Sequence, residues 1–286
     1  MTIELVHDSY GKSAIRMVKV SRHGRRHEVR DLTIDVRLEG AFERAHTEGD
    51  NSMILPTDTM KNTVYALAKD HTMDPPEHFA LALGEHFLGA APAATRVHIA
   101  IETKPWNRVT IGGRGHDHSF SGTGGPRRIA RISASRGQQV AIEAGIEGLE
   151  VLKSSGSGFE GFLVDRYTTL AQTSERILAT SISARWRYVA RSESFGPTWH
   201  AVRQFLLETF AEHPSRSVQH TLHAMGAAIL SQFAEIEEIH LTMPNRHHLL
   251  VDLSPFGQSN DDEIWVATDA PFGLIEATLR RVDAAR

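Results

Sequence analysis

Apolar and polar residues alternate with the two-residue period of a half-buried strand in several stretches of this chain. Leu32, Ile34, Val36 and Leu38 share one face, and Thr33, Asp35, Arg37 and Glu39 the other. The pattern recurs at Val97, Ile99 and Ile101, at Ile182, Ala184, Trp186 and Tyr188, and at Ile239, Leu241 and Met243. Leu249, Val251 and Leu253 predict one more strand. Strands of this kind belong in antiparallel sheets with one wetter face.

A helical period takes over between them. A helix is predicted from about Thr59 to Lys69, and Asp74 stands where it can cap a second, with Pro75 and Pro76 in the first turn and Phe79, Leu83 and Phe87 on the buried stripe. Later, Trp199, Val202, Leu206 and Phe210 form one stripe, and Val218, Leu222, Met225, Ile229 and Phe233 the next, with Pro214 and Ser215 between. The order is strand, strand, helix, helix, strand, strand, and then the same again, breaking near Arg136 to Gln139 without a residue-level repeat. Antiparallel sheets that each carry a helix pair make an α+β protein. A small open sheet also needs a partner surface, which points to an oligomer.

Composition narrows the function classes. Across 286 residues, 41% are apolar and 23% charged, the balance of a globular protein. Lys plus Arg (31) nearly cancel Asp plus Glu (35), leaving a net charge of -4. No basic surplus marks a nucleic-acid partner, so a small ligand is favoured. With no cysteine, disulfides, thiolate metal sites and cysteine nucleophiles are excluded. MTIELVHDSYGK lacks the basic flank and apolar core of a secretory signal. No apolar run reaches the roughly 20 residues of a membrane span, and the end VDAAR carries no Ser-Lys-Leu address. A cytoplasmic location is the expectation.

Some motifs lead nowhere. Gly11-Lys12-Ser13 looks like the end of a phosphate-binding loop, but Val6 stands where the first glycine is required. Glycines 112, 113, 115, 122, 124 and 125 suggest a hairpin or loop, since no helix pattern follows. His116-Asp117-His118 and His247-His248 lack a clear carboxylate partner for a metal, and hydrogen-bonded or solvated histidines are the simpler reading.

The informative stretch is LEVLKSSGSGFEGFLVDRYTTLAQTSER, Leu149 to Arg176. Its spacing of Leu152-Lys153-Ser154, Ser157, Phe159, Phe162, Tyr167, Leu170 and Arg176 resembles the motif of the urate oxidase family. Ser155 departs from the usual threonine but keeps a hydroxyl. Further stretches match in the same order: Tyr10-Gly11-Lys12, Thr57-Asp58-Thr59 with Lys61-Asn62-Thr63, Ser217-Val218-Gln219, and Pro244-Asn245-Arg246-His247-His248. The resemblance runs from about residue 10 to Arg281 and is weakest between Ala90 and Val140. It implies tandem tunnelling-fold (T-fold) domains, 1–137 and 138–286, in a homotetramer whose sheets close into a barrel. Closure would also answer the open-edge problem.

The resemblance further implies a site for urate, a flat purine anion, and O2, with no cofactor or metal. Arg176 and Gln219 would clamp the ring in its plane, with the Val218 N–H, and Phe159 would stack on it. Triplet oxygen cannot accept an electron pair directly, so a second proton must leave urate before single-electron transfer. Lys12, relayed through the Thr57 hydroxyl, would be the base, provided desolvation depresses its pKa, and His247 would complete the proton path. Asn245 and Thr57 would hold oxygen above the ring, and Asp58 would contact the purine through its backbone across a subunit interface. Taken singly, each has a plainer reading: Phe159 in a core, Lys12 in solvent, Asp58 as the cap of the helix near Thr59. A zinc-dependent T-fold enzyme and a non-catalytic purine-binding barrel are the rival classes.

Overall fold

The computed structural model describes residues 3–282. Its elements follow the order β1 (Tyr10–His23), β2 (Arg26–Gly40), α1 (Glu43–Thr47), α2 (Thr57–Asp70), α3 (Pro76–Ala90), β3 (Ala94–Lys104), β4 (Trp106–Ile111), β5 (Arg114–Gly122) and β6 (Arg127–Ser135). Then come β7 (Ala141–Lys153), β8 (Leu178–Tyr188), α4 (Phe195–Glu212), α5 (Val218–Gln232), β9 (Ile236–Arg246), β10 (His248–Leu250), a 3-10 turn (Ser254–Phe256), β11 (Trp265–Ala267) and β12 (Gly273–Arg280). The chain is α+β and divides into two compact units. The first takes residues up to Gly145 with Arg187–Trp199, and the second takes Ile146–Trp186 with His200 onward.

In the first unit the strands lie in the order β1-β2-β3-β6, each pair antiparallel. Leu32, Ile34, Val36 and Leu38 on β2 and Val97, Ile99 and Ile101 on β3 are all buried. Helix α3 packs on β3 and β6, with Phe79, Leu83 and Phe87 inside. Alternation thus separates a helix-covered face from one bearing Asp35, Arg37, His98 and Arg131, which line a hollow of about 430 Å³. In the second unit the order β7-β8-β9-β12 repeats the arrangement, and α5 packs on β9 and β12. Gly226 of α5 lets Leu279 of β12 approach, since a Cβ there would meet it at 2.9 Å.

Several sequence expectations need correction. Helix α2 begins at Thr57 rather than Thr59, so Pro56 occupies the cap position and Asp58 lies inside the first turn. Asp74 does not cap α3; Pro75 occupies the cap position without a side-chain hydrogen bond, and the Asp74 carboxylate instead receives Arg30 Nη2 at 2.8 Å. The strand expected over Leu249–Leu253 shrinks to β10, which pairs with β11. Leu249 is 54% exposed, so its alternation has no layer to bury against. Asp252 then accepts the Ser254 N–H at 2.9 Å, which closes the chain into the 3-10 turn. The glycine-rich stretch is the hairpin β4–β5, turning at Gly112 and Gly113 with φ of 57° and 78°.

Candidate active site

In the first unit, Lys12 sits on β1 where the strand is forced out of regularity. Gly11 passes so close to β2 that a Cβ would lie 1.9 Å from the Val36 carbonyl oxygen, an approach open only to glycine. Just beyond, the register slips between Lys12 and Ile15, and Ala14 adopts φ 55° while its N–H donates to Asp35 Oδ1 at 2.6 Å. A bulge re-aims the side chains beside it. Lys12 is half-buried and donates no hydrogen bond to any other described residue.

Helix α2 packs on β1, and its entry is fixed by Tyr10, whose hydroxyl accepts the Leu55 N–H at 2.9 Å. Burial raises the Tyr10 pKa, and that hydrogen bond opposes the rise. Asp58 receives Lys61 Nζ at 2.5 Å and Asn62 Nδ2 at 2.9 Å. Lys61 is the main cause holding the Asp58 carboxyl below its ordinary value; Asn62 and the charge of Lys12 add to it. Lys12, Thr57 and Asp58 therefore gather at one place, where β1 meets the first turn of α2.

The second unit builds a platform from loops. Phe159 N–H donates to Thr173 O at 2.7 Å, and Thr173 N–H returns the bond to Phe159 O at 3.2 Å. On the other side, Gly158 N–H donates to Ser215 O at 2.8 Å and Ser215 N–H to Gly156 O at 2.9 Å. Gly158 suits this close approach, because a Cβ would press at 3.0 Å on the carbonyl oxygens of Thr173 and Ser174. Three segments are thereby locked together: one bears Phe159, one runs on to Arg176, and one leads into α5.

The Arg176 guanidinium lies 5.4 Å from the Phe159 ring centroid, within cation–π range. Its Nε is buried without a hydrogen-bond partner among the described residues, and burial lowers its pKa. At the start of α5, Ser217 Oγ accepts the His220 N–H at 3.1 Å. Val218 and Gln219 precede that capped position, and N–H groups of a first helical turn have no partner within the helix. Val218 is buried and Gln219 exposed. A planar cation, an aromatic face and free helix-start N–H groups suit a flat anionic ring.

Asn245 and His247 stand at the end of β9 and just after it. Asn245 Nδ2 lies 3.5 Å from His247 Nδ1, at the outer limit of a hydrogen bond. The His247 carbonyl is pinned by the Thr268 N–H at 2.9 Å. No hydrogen bond joins this pair to Phe159 or Arg176 among the described residues. His116 and His118 stack at 4.7 Å, but among the described residues no group of three or more His, Asp or Glu could hold a metal ion. No sequence motif marks His213 and His220, whose rings meet at 4.3 Å beside α5. Their partnership crosses a loop, so no helical or strand period could reveal it.

The family model described as Uricase matches residues 8–133 and 142–276. The chain belongs to the uricase family. A uricase of Arthrobacter globiformis is 47% identical over 279 residues, covering 98% of this chain and 90% of that protein. A uricase of Danio rerio is 37% identical over 289 residues, covering 99% and 97%. The crystal structure of the uricase from Arthrobacter globiformis has a TM-score of 0.94 at 46% identity, covering 100% of this chain and 98% of that one. The uricase match leaves an internal gap at residues 134–141, close to the break expected near Arg136 to Gln139. Hairpin β4–β5 lies inside the matched part.

Proposed function

We propose that this uricase-family chain oxidises urate with O2 and water to 5-hydroxyisourate and hydrogen peroxide, without a cofactor, at sites shared between copies of a homotetramer. The observation that carries the reading is the Arg176–Phe159 pair, locked by the Gly156–Phe159 strap to the loop that enters α5. Urate is an anion at neutral pH, and a guanidinium fork pairs with adjacent in-plane acceptors. Gln219 and the Val218 N–H extend that edge, and Phe159 excludes water from one face. Lys12, with Thr57 as relay and His247 in the proton path, takes the second proton. Asn245 and Thr57 hold O2 and then peroxide above the ring, as neutral groups that both donate and accept.

Sharing between copies is supported by where the residues fall. Lys12, Thr57 and Asp58 belong to the first compact unit, and Phe159, Arg176, Val218, Gln219, Asn245 and His247 to the second. We read these as tandem T-fold domains, 1–137 and 138–286, whose sheets close into a barrel in the tetramer. Among the described residues, no helix is long and apolar enough to cross a membrane.

The experiment follows the loss of urate absorbance together with oxygen uptake, using chelator-treated, extensively dialysed protein. Full-rate turnover with equal amounts of O2 consumed and peroxide formed is the expected result. Activity that tracks a metal or a flavin spectrum across fractions overturns the cofactor-free reading.

A further inference from the structure

Beside the proposed clamp, two histidines meet ring to ring. His213 Nε2 lies 3.2 Å from His220 Nδ1, with the rings at 66°. His220 belongs to the first turn of α5, and its N–H is the one that Ser217 Oγ caps. His213 follows α4, and its carbonyl accepts Lys153 Nζ of β7 at 2.6 Å. Lys153 also lies 5.5 Å from the Phe210 ring. Gln219 and Val218 stand immediately before His220, so anything that moves His220 moves the end of α5 assigned to urate.

We propose that His213 and His220 are positioning residues for the Val218–Gln219 edge of the clamp, holding it in place only while their rings share a single hydrogen bond. The inference rests on the clamp reading above. An imidazole pair needs one N–H and one lone pair at the contact. With both rings protonated, two N–H groups and two positive charges would face each other at 3.2 Å, and the pair must part.

The charged groups that face the pair decide when this happens. Lys153 adds a second like charge, and Glu175, in the segment before β8, is the acidic group that faces Lys153. Burial, then His220, then Lys153 hold the His213 pKa below its ordinary value. The second proton therefore enters only on the acid side of neutrality. The shared hydrogen bond is intact at neutral and alkaline pH and is lost as pH falls, and ligand affinity falls with it.

The test measures binding of 8-azaxanthine, a substrate-like inhibitor, by calorimetry at about pH 8 and about pH 5.5, alongside urate turnover at the higher pH. Wild type is compared with His213→Gln and His220→Asn. Each amide stands where the ring nitrogen stood and keeps the hydrogen bond without titrating. Wild-type affinity should fall by about tenfold or more on acidification, and that of each variant by less than about threefold, from a common value at pH 8. An equal fall in wild type and variants, or none in wild type, overturns the proposal, as does failure of both variants to assemble. If one variant fails to fold, the other decides. A wild type that binds inhibitor yet turns over no urate sinks the catalytic reading, and the pH comparison still judges the pair.

Discussion

Replacing Lys12 by Met is expected to cut urate turnover by about two to four powers of ten, the usual worth of a positioned acid–base group, while inhibitor binding changes far less. The expectation follows from where Lys12 sits. It is half-buried at a strand irregularity, next to the helix turn that holds Thr57 and Asp58, and donates no hydrogen bond within the described chain. A lysine kept only for stability would be tied into an ion pair or spread over an apolar surface. Its carbon stem is closely matched by Met, so the variant removes the amine and little else. Arg176→Ala should show the opposite emphasis. Its buried Nε lacks a partner among the described residues, which leaves the fork available to a ligand, as proposed. Losing a bidentate charged contact should weaken inhibitor binding severely, by about a hundredfold or more. Equal loss of inhibitor affinity in the two variants contradicts this division of roles.

The second large effect concerns stability. Glu77 on α3 is fully buried, and Arg128 of β6 donates to its Oε2 at 2.7 Å. Arg128 also donates to the Phe195 carbonyl at 3.2 Å, which ties the start of α4 to the same point, and lies 5.3 Å from the Trp199 ring. Arg128→Met should leave a buried carboxylate unpaired and destabilise the fold by about 3–5 kcal/mol, read from the midpoint of urea unfolding. Burial raises the Glu77 pKa, with Arg128 pulling it back. A carboxyl whose folded pKa is raised contributes stability that is present below the unfolded value and lost as pH rises through the folded one. The Arg128→Met loss should therefore shrink on the acid side, where Glu77 is neutral. Adding Glu77→Leu should recover most of it, since a buried pair replaced by apolar side chains is close to neutral. A double variant no more stable than Arg128→Met speaks against the pair as the cause.

How much of this was legible in the sequence depended on what each residue answers to. The alternation at Leu32–Leu38 and the stripe at Phe79, Leu83 and Phe87 reported burial directly, because those faces meet a covering layer inside one chain. Leu249–Leu253 carried the same signal without such a layer, and the strand stopped at Leu250. The order of elements called for a strand before Leu32, but β1 itself shows no clean alternation, and its bulge between Lys12 and Ile15 shifts the register at the point of interest. Residue spacing led to Phe159 and Arg176. It could not show that Thr173 and Ser215 strap them in place, because those contacts run through backbone atoms that every residue shares. The His213–His220 pair was invisible for a related reason: it depends on how the loop at Pro214 folds back.

The proposed sharing of base and clamp between different copies of the chain is tested most directly by complementation. Thr57→Ala and Arg176→Ala lie in different compact units, and each should be nearly inactive alone. A two-fold interface repeats every contact, so a mixed interface holds one site with both substitutions and one with neither. After co-refolding of equal amounts, about half the interfaces are mixed and half their sites are repaired, restoring about a quarter of wild-type urate turnover. Activity that stays at the level of the single variants, with mixed assembly confirmed by mass spectrometry, would contradict the shared site.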